Sequence, residues 1–107
     1  MTGPVARIAP AARQDLNDQA DWFGAEADVD TARRFARSAA ETFTKLASSP
    51  GLGSPVEIAR PELRGLRKWR VQGFPKLLIF YVALADGVRI VRVIHAAQDW
   101  MTRLRME

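Results

Sequence analysis

The stretch Val91-Arg92-Val93-Ile94-His95-Ala96-Ala97-Gln98-Asp99-Trp100 holds the only histidine of the chain. An imidazole can accept and return a proton near neutral pH, provided a reacting group lies within hydrogen-bond reach and a carboxylate orients the ring. Asp99 is the carboxylate within sequence range of His95. No serine is placed by the sequence to act as a nucleophile, and there is no cysteine. Without such a partner, a histidine at a strand end reads first as a hydrogen-bonded structural residue.

The other available chemistry is that of cations. Lysine and arginine total 16 against 12 acidic residues, a net charge of +4, and arginine dominates. Its planar fork grips phosphates and carboxylates, so the balance points to a polyanionic target or an acidic partner. Arg67, Lys68 and Arg70 lie in one strand-like stretch and Arg89 and Arg92 in another. Together they can form a basic sheet surface, with Trp69 and Tyr81 adding stacking. The plain alternative is that arginine stems cover apolar surface and leave their heads in water. Arg33, Arg34 and Arg37 read as the solvated side of a helix. There is no phosphate-cradling glycine loop, no pair of carboxylates at catalytic spacing and no metal constellation. No cofactor is expected.

These residues need elements to position them. Val5 to Ala9 alternates weakly and predicts a first strand, which Pro10 ends. Ala12, Leu16, Ala20, Phe23 and Ala27 recur at helical spacing, with Asp15, Asp18 and Asp21 away from that stripe. Asp30 or Thr31 can cap a second helix, whose stripe is Ala32, Phe35, Ala39, Phe43 and Leu46. Ser48-Ser49-Pro50-Gly51 stops it. The short joint between the helices predicts an antiparallel hairpin. Residues 51–65 form a long connection.

The period then changes to two. Leu66 to Val71 alternates, Gln72-Gly73-Phe74-Pro75 is a turn, and Lys76 to Leu84 is almost continuously apolar, as in a central strand covered on both faces. Ala85-Asp86-Gly87 signals a tight hairpin into a last strand, Val88 to Ala96. There Val88, Ile90, Arg92 and Ile94 should face one way and Arg89, Val91, Val93 and His95 the other. The order β-α-α-β-β-β predicts an α+β domain, with an N-terminal helical hairpin packed on one face of a small antiparallel sheet. The other face would be open to a partner.

A length of 107 residues with 48% hydrophobic content suits one domain spanning 1–107. Its parts are a first strand (1–9), the helical hairpin (10–49), a three-stranded antiparallel part (66–96) and a C-terminal tail (97–107). The absence of cysteine excludes a disulfide framework and suits a reducing cytosol. No apolar run is long enough to span a membrane, and "MTGPVARIAP" has no continuous apolar core of a secretion signal. A cytoplasmic protein is expected. The charged final residues should fray in the free chain.

Taken in order, "ARRFARSAAETFTKLASSPGLG", "PELRGLRKWRV", "LLIFYV" and "DGVRIVRVIHAAQDW" resemble the RelE/ParE superfamily of bacterial toxins, and more closely its ParE branch. The similarity runs from "ARIAPAARQDLNDQADWF" to Trp100. The family fold matches the β-α-α-β-β-β order. The resemblance implies a toxin of a type II toxin–antitoxin module that poisons DNA gyrase and is neutralised by a ParD-like antitoxin, in a heterotetramer or larger assembly. Operator DNA would be reached only through the antitoxin. Target-binding residues would be Arg92, His95, Asp99, Trp100, Arg103 and Arg105. Antitoxin-binding residues would be Trp22, Phe35, Trp69, Leu77, Ile79 and Tyr81.

The RelE branch instead cuts messenger RNA on the ribosome with basic residues and often a C-terminal tyrosine. In that alternative the cluster would be Arg67, Lys68, Arg70, Arg89, Arg92 and His95. The sequence departs from it. Val82 follows the "FY" pair and Gln98 follows the histidine where arginines are common. Leu78 stands about where a basic residue precedes that pair, with Lys76 close by, and "MTRLRME" has no tyrosine. The expectation is therefore a toxin without catalysis, with a weakly toxic antitoxin-binding module as a further alternative.

Overall fold

The structure, a computed structural model, describes residues 3–105. The chain runs β1 (Val5–Ile8), α1 (Pro10–Glu26), α2 (Val29–Ser48), β2 (Ser54–Pro55), β3 (Arg67–Val71), β4 (Phe74–Leu84), β5 (Gly87–His95) and α3 (Trp100–Arg105). The ends of the first-strand and tail ranges, residues 1–2 and 106–107, lie outside the described residues.

Pro10 opens α1, where its missing N–H costs nothing. The cap of α2 is Asp28 rather than Asp30 or Thr31. Its carboxylate accepts the Thr31 N–H at 2.6 Å, because its own backbone is still extended while the next residue is already helical. The apolar stripe of α2 buries Phe35, Ala39, Phe43 and Leu46 as expected, and adds Thr42 and Ala47. The Thr42 hydroxyl donates to Ser38 O and accepts the Gln72 N–H, so this buried polar side chain has partners on both sides.

The sheet has five strands in the order β1-β5-β4-β3-β2. Strands β2 to β5 pair antiparallel, while β1 pairs parallel to β5, so the sheet is mixed. Gly87 permits that parallel pair. Its φ is +152°, and a Cβ there would lie 1.9 Å from Val5 O.

Alternation along β4 sends Leu77, Ile79 and Tyr81 under the helices and Phe80 and Val82 to the opposite face. That opposite face is not open. Leu63 and Leu66 of the long connection and Leu104 of α3 are buried against it, with Val56, Ile58 and Trp100 alongside. A strand apolar on both sides demands two covers, and the chain supplies the second from segments without strong helical periodicity. The connection contains β2 and two short 3-10 turns, Pro50–Leu52 and Pro61–Leu63. The described part of the tail forms α3 and packs on the same face through Leu104 and Trp100. Arg60 donates to the Leu104 carbonyl at 2.8 Å, which satisfies a helix-end oxygen.

Strand β5 departs from simple alternation. Phe80 pairs with Arg92 but Tyr81 pairs with Ile90, so Val91 is the extra residue of a β-bulge. Val88, Ile90 and Val93 consequently all join the core under the helices, while Val91 and Ile94 join the other. The strict period predicted for this strand fails at that residue.

Beyond Ile90 the strand β1 has ended, and the edge of β5 needs another partner. Asp15 of α1 provides it. One carboxylate oxygen accepts Arg92 Nε at 2.7 Å and the Val93 N–H at 2.9 Å, and the other accepts Arg92 Nη2 at 2.8 Å. Both side chains are largely buried, at 14% and 13% exposure. Asp15, expected on the solvent side of α1, instead joins helix to sheet.

Removing one member of such a pair leaves the other buried without its counter-charge, at a cost of about 3–5 kcal/mol for a fully buried case. Asp15→Ala should therefore lower the thermal midpoint steeply. Asp15→Leu combined with Arg92→Leu should recover much of the loss. Thermal unfolding of the single and double variants checks both outcomes.

Candidate functional site

The basic residues proposed for phosphate chemistry do not converge. Arg67 shares the helix-side face with Tyr81, and its guanidinium donates to Gly53 O at 2.6 Å. Lys68 places its ammonium 5.1 Å from the centre of the Trp100 ring, and the Arg70 guanidinium lies 5.0 Å from that of Trp69. Each is a cation–π contact. Arg89, half-buried, pairs across the sheet with Val82 on the face away from the helices. Arg92 is bound to Asp15.

Tyr81 is fully buried. Its hydroxyl donates to Pro50 O at 2.7 Å and accepts the Gly53 N–H at 2.8 Å. Burial pushes its pKa up, and both hydrogen-bond positions are used, so it offers no proton to a substrate. Gly53 has no room for a side chain there, since a Cβ would lie 2.6 Å from the Tyr81 hydroxyl. The site residues Phe35 and Ile79 are likewise buried, so their expected role as partner-facing residues is corrected to packing of the main core, which Leu77 also joins while lining the cleft described below. Tyr81 is corrected in the same way, to a tie between the sheet and the end of α2. Trp69 is half-buried against that core.

His95 accepts the Ala97 N–H on Nδ1 at 3.0 Å, which in the neutral ring leaves the proton on Nε2. Asp99 does not orient it. Its carboxylate accepts the Thr102 N–H at 3.3 Å and the Thr102 hydroxyl at 2.6 Å, making it the cap of α3. Those two bonds hold the Asp99 carboxyl below its ordinary pKa. Trp100 packs on Phe80 with ring centres 5.2 Å apart.

The concave feature that brings candidate residues together is a cleft of about 710 Å³ between α1 and the adjoining ends of β4 and β5. Phe23, Phe74, Leu77 and Val93 line it with apolar surface, and Asp18, Lys76, His95 and Arg103 line it with charged or polar groups. An aromatic cluster supports one wall: Phe23, Phe35 and Phe74 have ring centres 5.2–5.5 Å apart, and Trp22 extends the chain of rings from Phe23. Trp22 also lines the cleft and is 56% exposed. Of the residues singled out in the sequence, Trp22, Leu77, His95 and Arg103 meet here. No local pattern marks Phe23, Phe74 and Lys76 as lining residues, because the cleft joins a helix to a hairpin far away in sequence. The bulge matters too, since it puts Val93 and His95 on the side of α1.

The family model described as "ParE toxin of type II toxin-antitoxin system, parDE" matches residues 6–100. Among solved structures, the fold is similar to a chain of the chromosomal ParDE TA system from P. aeruginosa. The TM-score is 0.68 at 14% identity, covering 86% of this chain and 95% of that one. It is also similar to a chain of the heterotetrameric YoeB-YefM toxin-antitoxin complex from Staphylococcus aureus. There the TM-score is 0.54 at 12% identity, with 88% and 98% covered. A second YoeB-YefM complex from Staphylococcus aureus gives 0.51 over the same shares. No curated protein matches the chain.

Because the Asp99 pKa is depressed by folding, its ionised cap stabilises α3 above the ordinary carboxylate range, and that contribution is lost as pH falls through the depressed value. Asp99→Ala should loosen α3 at neutral pH, and its difference from the parent should shrink on acidification. Trp100 fluorescence, in a background with Trp22 and Trp69 changed to phenylalanine, checks this. A difference unchanged across the acid range would remove the capping role.

Proposed function

This chain belongs to the ParE toxin family of type II toxin–antitoxin systems, and on that footing we propose that it inhibits DNA gyrase in the cytoplasm by binding, without catalysis. A ParD-like antitoxin neutralises it in a hetero-oligomer. The observation that carries the non-catalytic reading is the dispersal of Arg67, Lys68, Arg70, Arg89 and Arg92, the basic residues of the ribonuclease alternative. Phosphoryl chemistry on RNA needs cations and an acid–base group aimed at one reacting centre. Here Arg67, Lys68, Arg70 and Arg92 are spread over both faces and an edge, and each is engaged within the chain.

The surface proposed for the target is the C-terminal arm. His95 shapes its turn, Asp99 caps its helix and Trp100 seats it, so these residues position rather than bind. Arg92 holds the strand that carries the arm. Arg103 and Arg105, both exposed on α3, are the groups left to meet an anionic or polar surface.

Purified protein should make gyrase accumulate cleaved plasmid and leave messenger RNA intact on translating ribosomes. Cut RNA with normal gyrase would replace this reading with the ribonuclease one. Changing Arg103 and Arg105 together to glutamate should weaken the gyrase effect by about tenfold or more, as expected when cationic contacts at an interface are reversed. His95→Ala should retain growth inhibition. Loss of toxicity in a well-folded His95→Ala protein would restore a chemical role for the ring.

A further inference from the structure

We infer that Arg60, backed by Glu62, is the positioning residue of the C-terminal arm: it fixes where Arg103 and Arg105 stand and so sets how strongly the arm binds its target. This rests on the arm being the target-binding surface, as proposed above. It assigns control of that surface to a side chain of the β2–β3 connection, 44 residues before the carbonyl it holds.

Helix α3 has 6 residues, too few for its own hydrogen bonds to offset the cost of nucleating a helix. Its start is held twice, by the Asp99 cap and by Trp100 on Phe80. At its far end Leu104 is buried with Leu63 and Leu66, and Arg60 Nη1 donates to the Leu104 carbonyl at 2.8 Å. Among the described residues no other side chain hydrogen-bonds the backbone of residues 103–105. A buried leucine sets the depth of the helix but lets it roll. A hydrogen bond is directional, so one aimed at a single carbonyl also sets the rotation about the helix axis. That rotation decides which way the exposed Arg103 and Arg105 project.

Arg60 is itself preset for the task. Its N–H donates to Ile58 O at 2.9 Å, its carbonyl accepts the Leu63 N–H at 3.0 Å, and Pro61 follows with its locked φ. Its fork is divided between two acceptors. Nε donates to Glu62 Oε1 at 2.6 Å on one side, which leaves Nη1 pointing at the arm on the other. The Arg60 side chain is only 21% exposed. A lysine has one ammonium in place of this planar fork and cannot meet both acceptors in the same geometry. When only a fraction of molecules hold the arm in its binding position, apparent affinity falls by that fraction.

The test compares the full-length parent with Arg60→Ala, Arg60→Lys, Glu62→Ala and Arg64→Ala. Arg64 is exposed on the same connection and has no side-chain hydrogen bond among the described residues, so its loss removes a charge without touching α3. Hydrogen exchange reads the order of α3, and growth arrest at matched expression and gyrase-dependent plasmid cleavage read potency. Arg60→Ala should speed exchange in α3, leave α2, β4 and the thermal midpoint as in the parent, and lower potency about tenfold, as for one lost charge-assisted hydrogen bond. Arg60→Lys should recover part of the loss. Glu62→Ala should lose less than Arg60→Ala and add nothing to it in the double variant. Arg64→Ala should behave as the parent.

Unchanged α3 exchange in Arg60→Ala, or faster exchange with full potency, would overturn the inference while leaving the gyrase reading in place. A fallen thermal midpoint with faster exchange in α2 and β4 would make Arg60 a general stabiliser and also overturn it. An equal loss in Arg64→Ala would do the same by reducing the effect to net charge. A parent that arrests growth without plasmid cleavage, and an Arg60→Ala protein that arrests growth less, would remove the gyrase reading and support the positioning role toward another target.

Discussion

The carboxylate of Asp15 joins helix to sheet at the point where β5 loses its edge partner. Strand β1 covers the edge of β5 only as far as Ile90, and the remaining residues of β5 would otherwise present bare backbone. Asp15 takes the Val93 N–H and, through the Arg92 fork, closes a compact ion pair. It thereby docks α1 against β5 at the point where the strand bulges. The bulge puts Val91 and Ile94 on one face and Val93 on the other, and so lets His95 line the cleft beside α1. Helix docking, strand register and the cleft meet at one polar junction.

The second cover of the sheet depends on smaller contacts. The connection between β2 and β3, together with α3, buries Leu63, Leu66 and Leu104 over Phe80 and Ile94. Arg60 bridges them by donating to the Leu104 carbonyl. Helix α3 is only 6 residues long, too short to persist without tertiary support. Its caps and its buried leucine therefore determine whether Arg103 and Arg105 are held at fixed positions. Under the binding mode proposed above, a pre-formed arm would lose less entropy on meeting a partner.

The cationic surplus divides into two populations. Arg7, Arg60, Arg67, Lys68, Arg70 and Arg92 have partners within the chain, in carboxylates, carbonyls or rings. Arg34 lies over the Phe74 ring. Lys76 and Arg103 are among the cations without such a partner, and these two lie together around an apolar cleft. Net charge alone does not separate these populations. An arginine stacked on tryptophan contributes to the fold and is a poor candidate for gripping phosphate, whereas an unengaged lysine at a cleft is available to a partner.

What the residues determined unaided was whatever depends on local periodicity. The stripe Phe35, Ala39, Phe43 and Leu46 made α2 legible, the run Lys76 to Leu84 announced a strand apolar on both sides, and Ala85-Asp86-Gly87 marked its hairpin. The ordered motifs pointed to the ParE branch, and the family match bears that out. Tertiary structure decided everything that depends on distant residues meeting. It turned Asp15 inward, because a strand edge with no neighbour needed an acceptor. It inserted Val91 as a bulge, buried Tyr81 beneath the end of α2, and laid the connection and tail over the face expected to be open. It also brought Phe23, Lys76, His95 and Arg103 around one cleft. A side chain's local pattern tells which way it points from its own element. Whether core, water or a counter-charge waits there is set by elements elsewhere in the chain.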